Sequence, residues 1–279
     1  DITGKHLPLL FLHHQPTRGN IGDELCSPKH YFDMEAAVSG VTVVGGGVFV
    51  DFGLKRMNKL RRLPARAVLW GTGISVRDSS KAVEQITSLP YSFWGLRDGD
   101  RVDDAHFLPC VSCLHPMLDV PVQESASTLL FINVDPKVSS VGALDELHSM
   151  ASERGWQFLL NNCNESDLVA ALAGAHHVVT NSFHGTYWGL LAGRRVTCIG
   201  YSSKFVSLLR VMGLDPAMLV PVQRGGHESL ISAVRNVRDD AKSVELGDAI
   251  AVKQSFRSRN LGFAKRLEGS SLFRSIRLL

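Results

Sequence analysis

The 279-residue chain contains no run of 18 uncharged apolar residues, so the sequence offers no helix able to span a bilayer, and the apolar stretch over 8–12 is too short for one. Cysteine is scarce. Cys26, Cys110, Cys113, Cys163 and Cys198 are odd in number and far apart, which excludes the disulfide framework of a small secreted scaffold and points to a reducing compartment. A dinucleotide-binding fingerprint is also missing, because neither Gly45-Gly46-Gly47 nor Gly71-Thr72-Gly73 supplies a third glycine three residues after a spaced pair. Neither sign of charge dominates. Thirty Lys and Arg against 27 Asp and Glu leave +3, so no general polyanion-binding surface and no nucleic-acid partner are expected. The basic charge is concentrated over 253–279, where seven cations face Glu268 alone.

What remains is an ordinary globular composition, 44% hydrophobic and 20% charged, in a chain long enough for one large core or two smaller ones. Short apolar runs alternate with helical patterns, the signature of parallel strands joined by crossover helices. Strands are expected over 7–12, 41–44, 67–70 and 91–94, with helices over 24–38, 54–63 and 79–88 between them. Pro109, Pro116 and Pro121 interrupt the periodicity over 109–123, as a linker does. The pattern then restarts, with strands over 128–133, 157–160, 177–180 and 196–199 and helices over 141–154, 166–173 and 185–192. The expected fold is therefore α/β, with two Rossmann-like doubly wound domains facing across a cleft. They occupy 1–120 and 121–250, followed by a basic helical tail over 251–279. In such sheets ligands sit beyond the carboxyl ends of the strands, so the loops there are the candidate sites.

In the first of these loops, Arg18-Gly19-Asn20-Ile21-Gly22-Asp23-Glu24, glycines permit a tight turn, and the helix that follows presents N–H groups to an anion or a sugar hydroxyl. Asp23 has two readings, a helix cap or a carboxylate that orients or deprotonates an acceptor hydroxyl. The Gly45-Gly46-Gly47 and Trp70-Gly71-Thr72-Gly73-Ile74 loops remove side chains where a ligand or another backbone comes close. Arg97, directly after the fourth strand, would suit a carboxylate or phosphate, or would pair with Asp98 or Asp100. The most informative segment is Thr180-Asn181-Ser182-Phe183-His184-Gly185-Thr186. It places an imidazole at the entrance of a small-residue helix, where phosphate is bound and a proton donor positioned. Cys110-x-x-Cys113, with His106 and His115 nearby, puts four metal donors within ten residues. Structural zinc sites usually join two separated ligand pairs, so no metal is assigned. The pairs His13-His14 and His176-His177 take no role beyond surface or cleft lining.

In their order and spacing, Gly19-Asn20-Ile21-Gly22-Asp23-Glu24, Gly45-Gly46-Gly47, Trp70-Gly71-Thr72-Gly73-Ile74, Leu96-Arg97-Asp98 and Asn181-Ser182-Phe183-His184-Gly185 resemble the polysaccharide pyruvyl transferase family. The resemblance runs over about 8–215, and the subgroup it suggests forms exopolysaccharide ketals. It implies a fold like that of GT-B glycosyltransferases and transfer of pyruvate from phosphoenolpyruvate to a sugar as a cyclic ketal. Phosphoenolpyruvate would serve as co-substrate, with no other cofactor. It further implies a cytoplasmic enzyme at the inner face of the membrane, acting on a lipid-linked saccharide, with the basic tail as a peripheral contact. On this reading His184 and Asp23 are catalytic. The donor is bound by Arg97, Asn181, Ser182, Gly185, Thr186 and Lys204, and the acceptor by Asn20, Gly22, Gly46, Gly47 and Thr72. Many family members carry a basic residue two positions before the histidine. Ser182 stands there in this chain, so Arg97, Arg18 or Lys204 compensates, or the donor differs. A nucleotide-sugar glycosyltransferase and a noncatalytic saccharide-binding protein are the competing readings.

Overall fold

The computed structural model describes residues 9–47, 53–74, 91–123, 127–237 and 242–279, together with Glu84, Ile86 and Ser88. The chain divides into two compact units. Unit 1 holds Asp1–Gln15, Asp23–Leu114 and Gln254–Leu279, and unit 2 holds Pro16–Gly22 and His115–Lys253.

The chain runs through β1 (Leu10–Leu12), α1 (Ile21–Leu25), β2 (Phe32–Ala36), β3 (Thr42–Gly45), α2 (Leu54–Lys59), β4 (Ala67–Thr72) and β5 (Phe93–Leu96). In unit 1 the strands β1, β3, β4 and β5 form a parallel sheet in the order β1-β3-β4-β5. Alternation along the strands sends Val43, Val68 and Trp70 to one face and Val44, Ala67 and Leu69 to the other, so both faces are packed.

The helix expected over 24–38 does not form. α1 ends at Leu25, and Pro28 starts a 3-10 turn over Pro28–His30, where a continuing α-helix would lose a hydrogen bond and meet the pyrrolidine ring. The stretch that follows is the strand β2, whose Phe32 is buried and whose Met34 and Ala36 pack against the same core. Positions 7 and 8 of the first expected strand lie outside the described residues, as does most of the helix expected over 79–88.

Unit 2 contains β6 (Ser127–Ile132), α3 (Val141–Glu153), β7 (Gln157–Leu160), α4 (Glu165–Ala173), β8 (Ala175–Thr180), α5 (Phe183–Leu191), β9 (Arg195–Gly200), α6 (Ser203–Val211), β10 (Val220–Pro221) and α7 (His227–Arg235). Its sheet is wholly parallel in the order β10-β9-β8-β6-β7. Here expectation and structure agree to within a few residues. Three of its helices have a legible start: Ser140, Asn164 and Ser182 accept hydrogen bonds from Ala143, Asp167 and Gly185 N–H as N-caps of α3, α4 and α5. α5 is buried along its whole length. It lies so close to the sheet that a Cβ on Gly185 would come within 2.5 Å of Phe131 and Thr180, and one on Gly189 within 2.9 Å of Val196.

The tail belongs to unit 1. It forms α8 (Ala249–Glu268) and β11 (Phe273–Leu278), the latter paired antiparallel with β2. Phe256, Phe263, Leu267, Phe273 and Ile276 are all buried. Among its cations, Arg257 donates to Cys113 O, Arg274 pairs with Glu35 and Arg277 pairs with Asp33. Asn260 fixes α8 to the sheet, accepting from Trp70 Nε1 at 2.7 Å and donating to Pro109 O. Among the described residues, no helix is long and apolar enough to cross a membrane.

Candidate functional site

In unit 2 the loops after β6, β7 and β8 are joined by asparagines. Asn181 Oδ1 accepts from Asn133 N at 2.9 Å, and its Nδ2 donates to Ser139 Oγ at 3.0 Å. Asn161 Oδ1 accepts from Val134 N, and Asn161 O accepts from Ile21 N at 2.8 Å. That last bond attaches the segment Pro16–Gly22 to unit 2, so Asn20 and Gly22, expected on the N-terminal domain, belong with the histidine segment. Asn20 Oδ1 accepts from Gly22 N at 3.0 Å and caps α1.

His184 occupies the second position of α5 and is buried, with 4% of its surface exposed. Its ring lies between Phe183 and Trp188, with centroids at 5.1 and 5.3 Å. Gly22 sits directly against it. A Cβ at position 22 would lie 2.3 Å from His184 Nδ1, so glycine is required there by the imidazole itself. Ser182 and Thr186 are turned to the helix start: Ser182 Oγ accepts from Gly185 N, and Thr186 Oγ1 donates to Ser182 O at 3.1 Å. Thr180 Oγ1 donates to Phe131 O and accepts from Ser182 N. Asn181, Ser182 and Thr186 thus hold the segment in shape. Lys204, in the first turn of α6, donates to Tyr201 Oη at 2.9 Å.

In unit 1, Asp23 is not the cap of α1, because Asn20 takes that place. Its buried carboxylate instead meets His14, with Oδ2 3.0 Å from Nδ1. His14 is 44% exposed at the side chain, so the pair has one sheltered and one accessible member. The sequence showed the His13-His14 doublet after the first strand but gave no reason to join it to a carboxylate nine positions on.

The glycine loops of this unit approach the protein's own chain. A Cβ on Gly45 would lie 2.5 Å from Cys26 O, one on Gly46 2.3 Å from Cys26 Cβ, and one on Gly71 2.8 Å from Pro109 O. Gly47 O accepts from Gly73 N at 2.9 Å, which ties the two loops together. Gly73 makes room for Arg97, whose Nε and Nη2 would both stand 2.7 Å from an added Cβ. Arg97 is buried. Asp98 Oδ2 accepts from Ile74 N at 2.7 Å, and Asp100 pairs with Arg101. Thr72 Oγ1 is buried with no hydrogen-bond partner among the described residues.

The four donors at 106–115 do not form one site. His106 stacks on Trp94 with centroids 3.6 Å apart, its Nδ1 bonded to Asp103, while Cys113 Sγ accepts from Asn260. His115 meets Glu165 in unit 2. Cys110 instead lies 3.1 Å, sulfur to sulfur, from Cys26, a contact between distant residues that spacing does not reveal. Burial first, and then the neighbouring Cys110, push the Cys26 thiol well above its usual range, with Arg97 acting in the opposite direction.

No family model matches the chain, and no curated protein matches it. Among solved structures, it is similar to a candidate UDP-N-acetylglucosamine 2-epimerase from Listeria monocytogenes, at 11% identity over 83% of this chain and 74% of that one, with a TM-score of 0.47. It is also similar to the kitacinnamycin glycotransferase, at 11% identity over 84% and 71% of the two chains, with a TM-score of 0.41.

Proposed function

We propose that the protein is a sugar-modifying transferase that moves the pyruvyl group of phosphoenolpyruvate onto two hydroxyls of a saccharide. The observation that carries this reading is the contact of Gly22 with His184. It joins the Asn20-Ile21-Gly22 and Ser182-Phe183-His184-Gly185 motifs, 162 positions apart, around one buried imidazole at the start of a helix. A proton donor beside helix N–H groups suits an enol phosphate.

Ketal formation begins with protonation of the methylene carbon. One sugar hydroxyl then adds to the adjacent carbon, and a second displaces phosphate, so that phosphoenolpyruvate and a diol become a cyclic ketal and inorganic phosphate. His184 delivers the first proton, a step for which general acid catalysis contributes about a hundred- to ten thousandfold. Within unit 1, Arg97, a planar cation for which Gly73 makes room, suits a carboxylate or phosphate oxygen. Within unit 1, the Asp23–His14 pair has the chemistry to receive a proton from a hydroxyl. Thr72 offers a buried hydroxyl.

The test is calorimetry with phosphoenolpyruvate and, separately, uridine diphosphate. Binding of phosphoenolpyruvate with phosphate release dependent on His184 is expected, and His184→Ala should leave the melting temperature within a few degrees while abolishing turnover. Binding of uridine diphosphate alone would replace this reading with a nucleotide-sugar glycosyltransferase. Binding of a saccharide without any turnover would make the protein a noncatalytic saccharide-binding module.

A further inference from the structure

Where β9 and β10 end in unit 2, three residues form a group made almost entirely of hydrogen-bond donors. Tyr201 Oη accepts from Lys204 Nζ at 2.9 Å and from Asn133 Nδ2 at 3.4 Å. The Asn133 amide is oriented by its own Oδ1, which accepts from Asp135 N at 2.9 Å. A phenol oxygen that already accepts from a lysine and an amide keeps its own proton for another partner, and none of the described residues takes it. An ammonium can only donate, so Lys204 has protons to give as well. Its Nζ lies 4.8 Å from the centroid of Tyr201 and 5.2 Å from that of Phe205, and the Arg224 guanidinium stands 5.9 Å from Tyr201.

Two cations therefore flank one aromatic ring. Neither has a carboxylate within ion-pair distance among the described residues, and Asp135 is turned to the N–H of Lys137. A second observation lies at the start of α6. Its N-cap, Ser202, makes no capping bond, and Ser202 Oγ is buried without a partner. Two positive charges, a phenol proton and an uncommitted hydroxyl beside a helix start form an array for an anion with several acceptor oxygens.

We propose that Tyr201, Lys204 and Arg224 are the phosphoryl-binding subsite of unit 2, fitted to the dianion of a phosphate monoester. Naming the ligand as an enol phosphate rests on the function proposed above. The subsite explains how the chain manages with Ser182 where its resemblance leads one to expect a cation: the charge comes from α6 and from the loop after β10. The link to the histidine segment is short, since Asn133, which donates to Tyr201, also donates through its backbone N–H to Asn181.

The experiment is calorimetric titration of the full chain with phosphoenolpyruvate, inorganic phosphate and uridine diphosphate as separate probes. Lys204→Ala and Arg224→Ala should each weaken phosphoenolpyruvate binding by about tenfold or more, the usual scale for a charge-assisted hydrogen bond. Tyr201→Phe keeps the ring and should weaken it by about threefold to tenfold. Arg274→Ala, an exposed cation of unit 1, controls for general charge and should change nothing. Equal binding by all variants would overturn the subsite and leave the pyruvyl transfer reading standing. Binding of uridine diphosphate but not phosphoenolpyruvate, lost in the same variants, would uphold the subsite and overturn that reading. A chain that binds none of the three probes would overturn the subsite.

Discussion

The carboxyl ends of the strands are organised differently in the two units. In unit 1 the loops after β3 and β4 are glycine-rich and are filled by the chain itself: Cys26 and Pro28 press on Gly45 and Gly46, the Pro109 carbonyl on Gly71, and Arg97 on Gly73. In unit 2 the corresponding loops carry asparagine, serine and threonine side chains that bind one another and nearby backbone, while the Asn161 carbonyl holds the loop with Gly22. A glycine at a strand end is therefore no sign of a ligand by itself. It records a close approach, and only the structure says whether backbone, side chain or substrate makes it.

The largest effect that would break this comparison is at Gly46. Its φ of +72° disfavours any side chain, and an added Cβ meets Cys26 Cβ at 2.3 Å. Gly46→Ala should destabilise unit 1 by about 3 kcal/mol or more, combining left-handed strain with overpacking. Gly155→Ala, at φ +65° with nothing within 4 Å, should cost only about 1–2 kcal/mol. Chemical denaturation of both variants checks the difference, and equal losses would mean that Gly46 is kept for its conformation alone.

A smaller effect is expected at the polar strand ends of unit 2. Asn181→Ala deprives Asn133 N and Ser139 Oγ of their partner and should cost about 1–3 kcal/mol. Faster amide exchange at Asn133, with the amides of β4 unchanged, would sharpen the contrast between the units. Exchange rising equally in both would erase it.

The smallest effect is on acid stability. Burial, with Lys29 adding to it, lowers the pKa of His13 below its ordinary 6.5. The unfolded chain then binds a proton more readily than the folded one, so this contribution is complete above pH 6.5 and is lost as pH falls below it toward the folded value. Thermal melts of His13→Gln across pH 5 to 8 should show a shallower acid decline than those of the parent chain. A parallel pair of curves would remove His13 from the account.

The sheet of unit 2 was legible because its strands, helices and caps follow one another at short range, with Ser140, Asn164 and Ser182 marking helix starts. β2 was not. Its five residues pair with β11 across more than 230 positions, a partnership that no local pattern announces, and the turn at Pro28 was hidden within a run that looked helical. Of the candidate site, the position of His184 at a helix start was readable from its neighbours. The attachment of Gly22 to it, the pairing of His14 with Asp23 and the grouping of Tyr201 with Arg224 depend on folding back of the chain. The Gly46 loop shows the opposite limit, since the same three glycines serve a substrate or a neighbouring backbone equally well.

The return of α8 and β11 to unit 1 sets a timetable for synthesis. Residues 115–253 form the continuous part of unit 2 and can collapse as soon as they leave the ribosome, together with the 16–22 loop already made. Trp70 and β2 emerge much earlier, yet Asn260 and the strand over 273–278 that complete them follow unit 2 in the sequence. The early segments of unit 1 are therefore completed only after unit 2 has been made, and their indole and strand edge stay open to chaperones or to wrong partners until α8 and β11 have emerged.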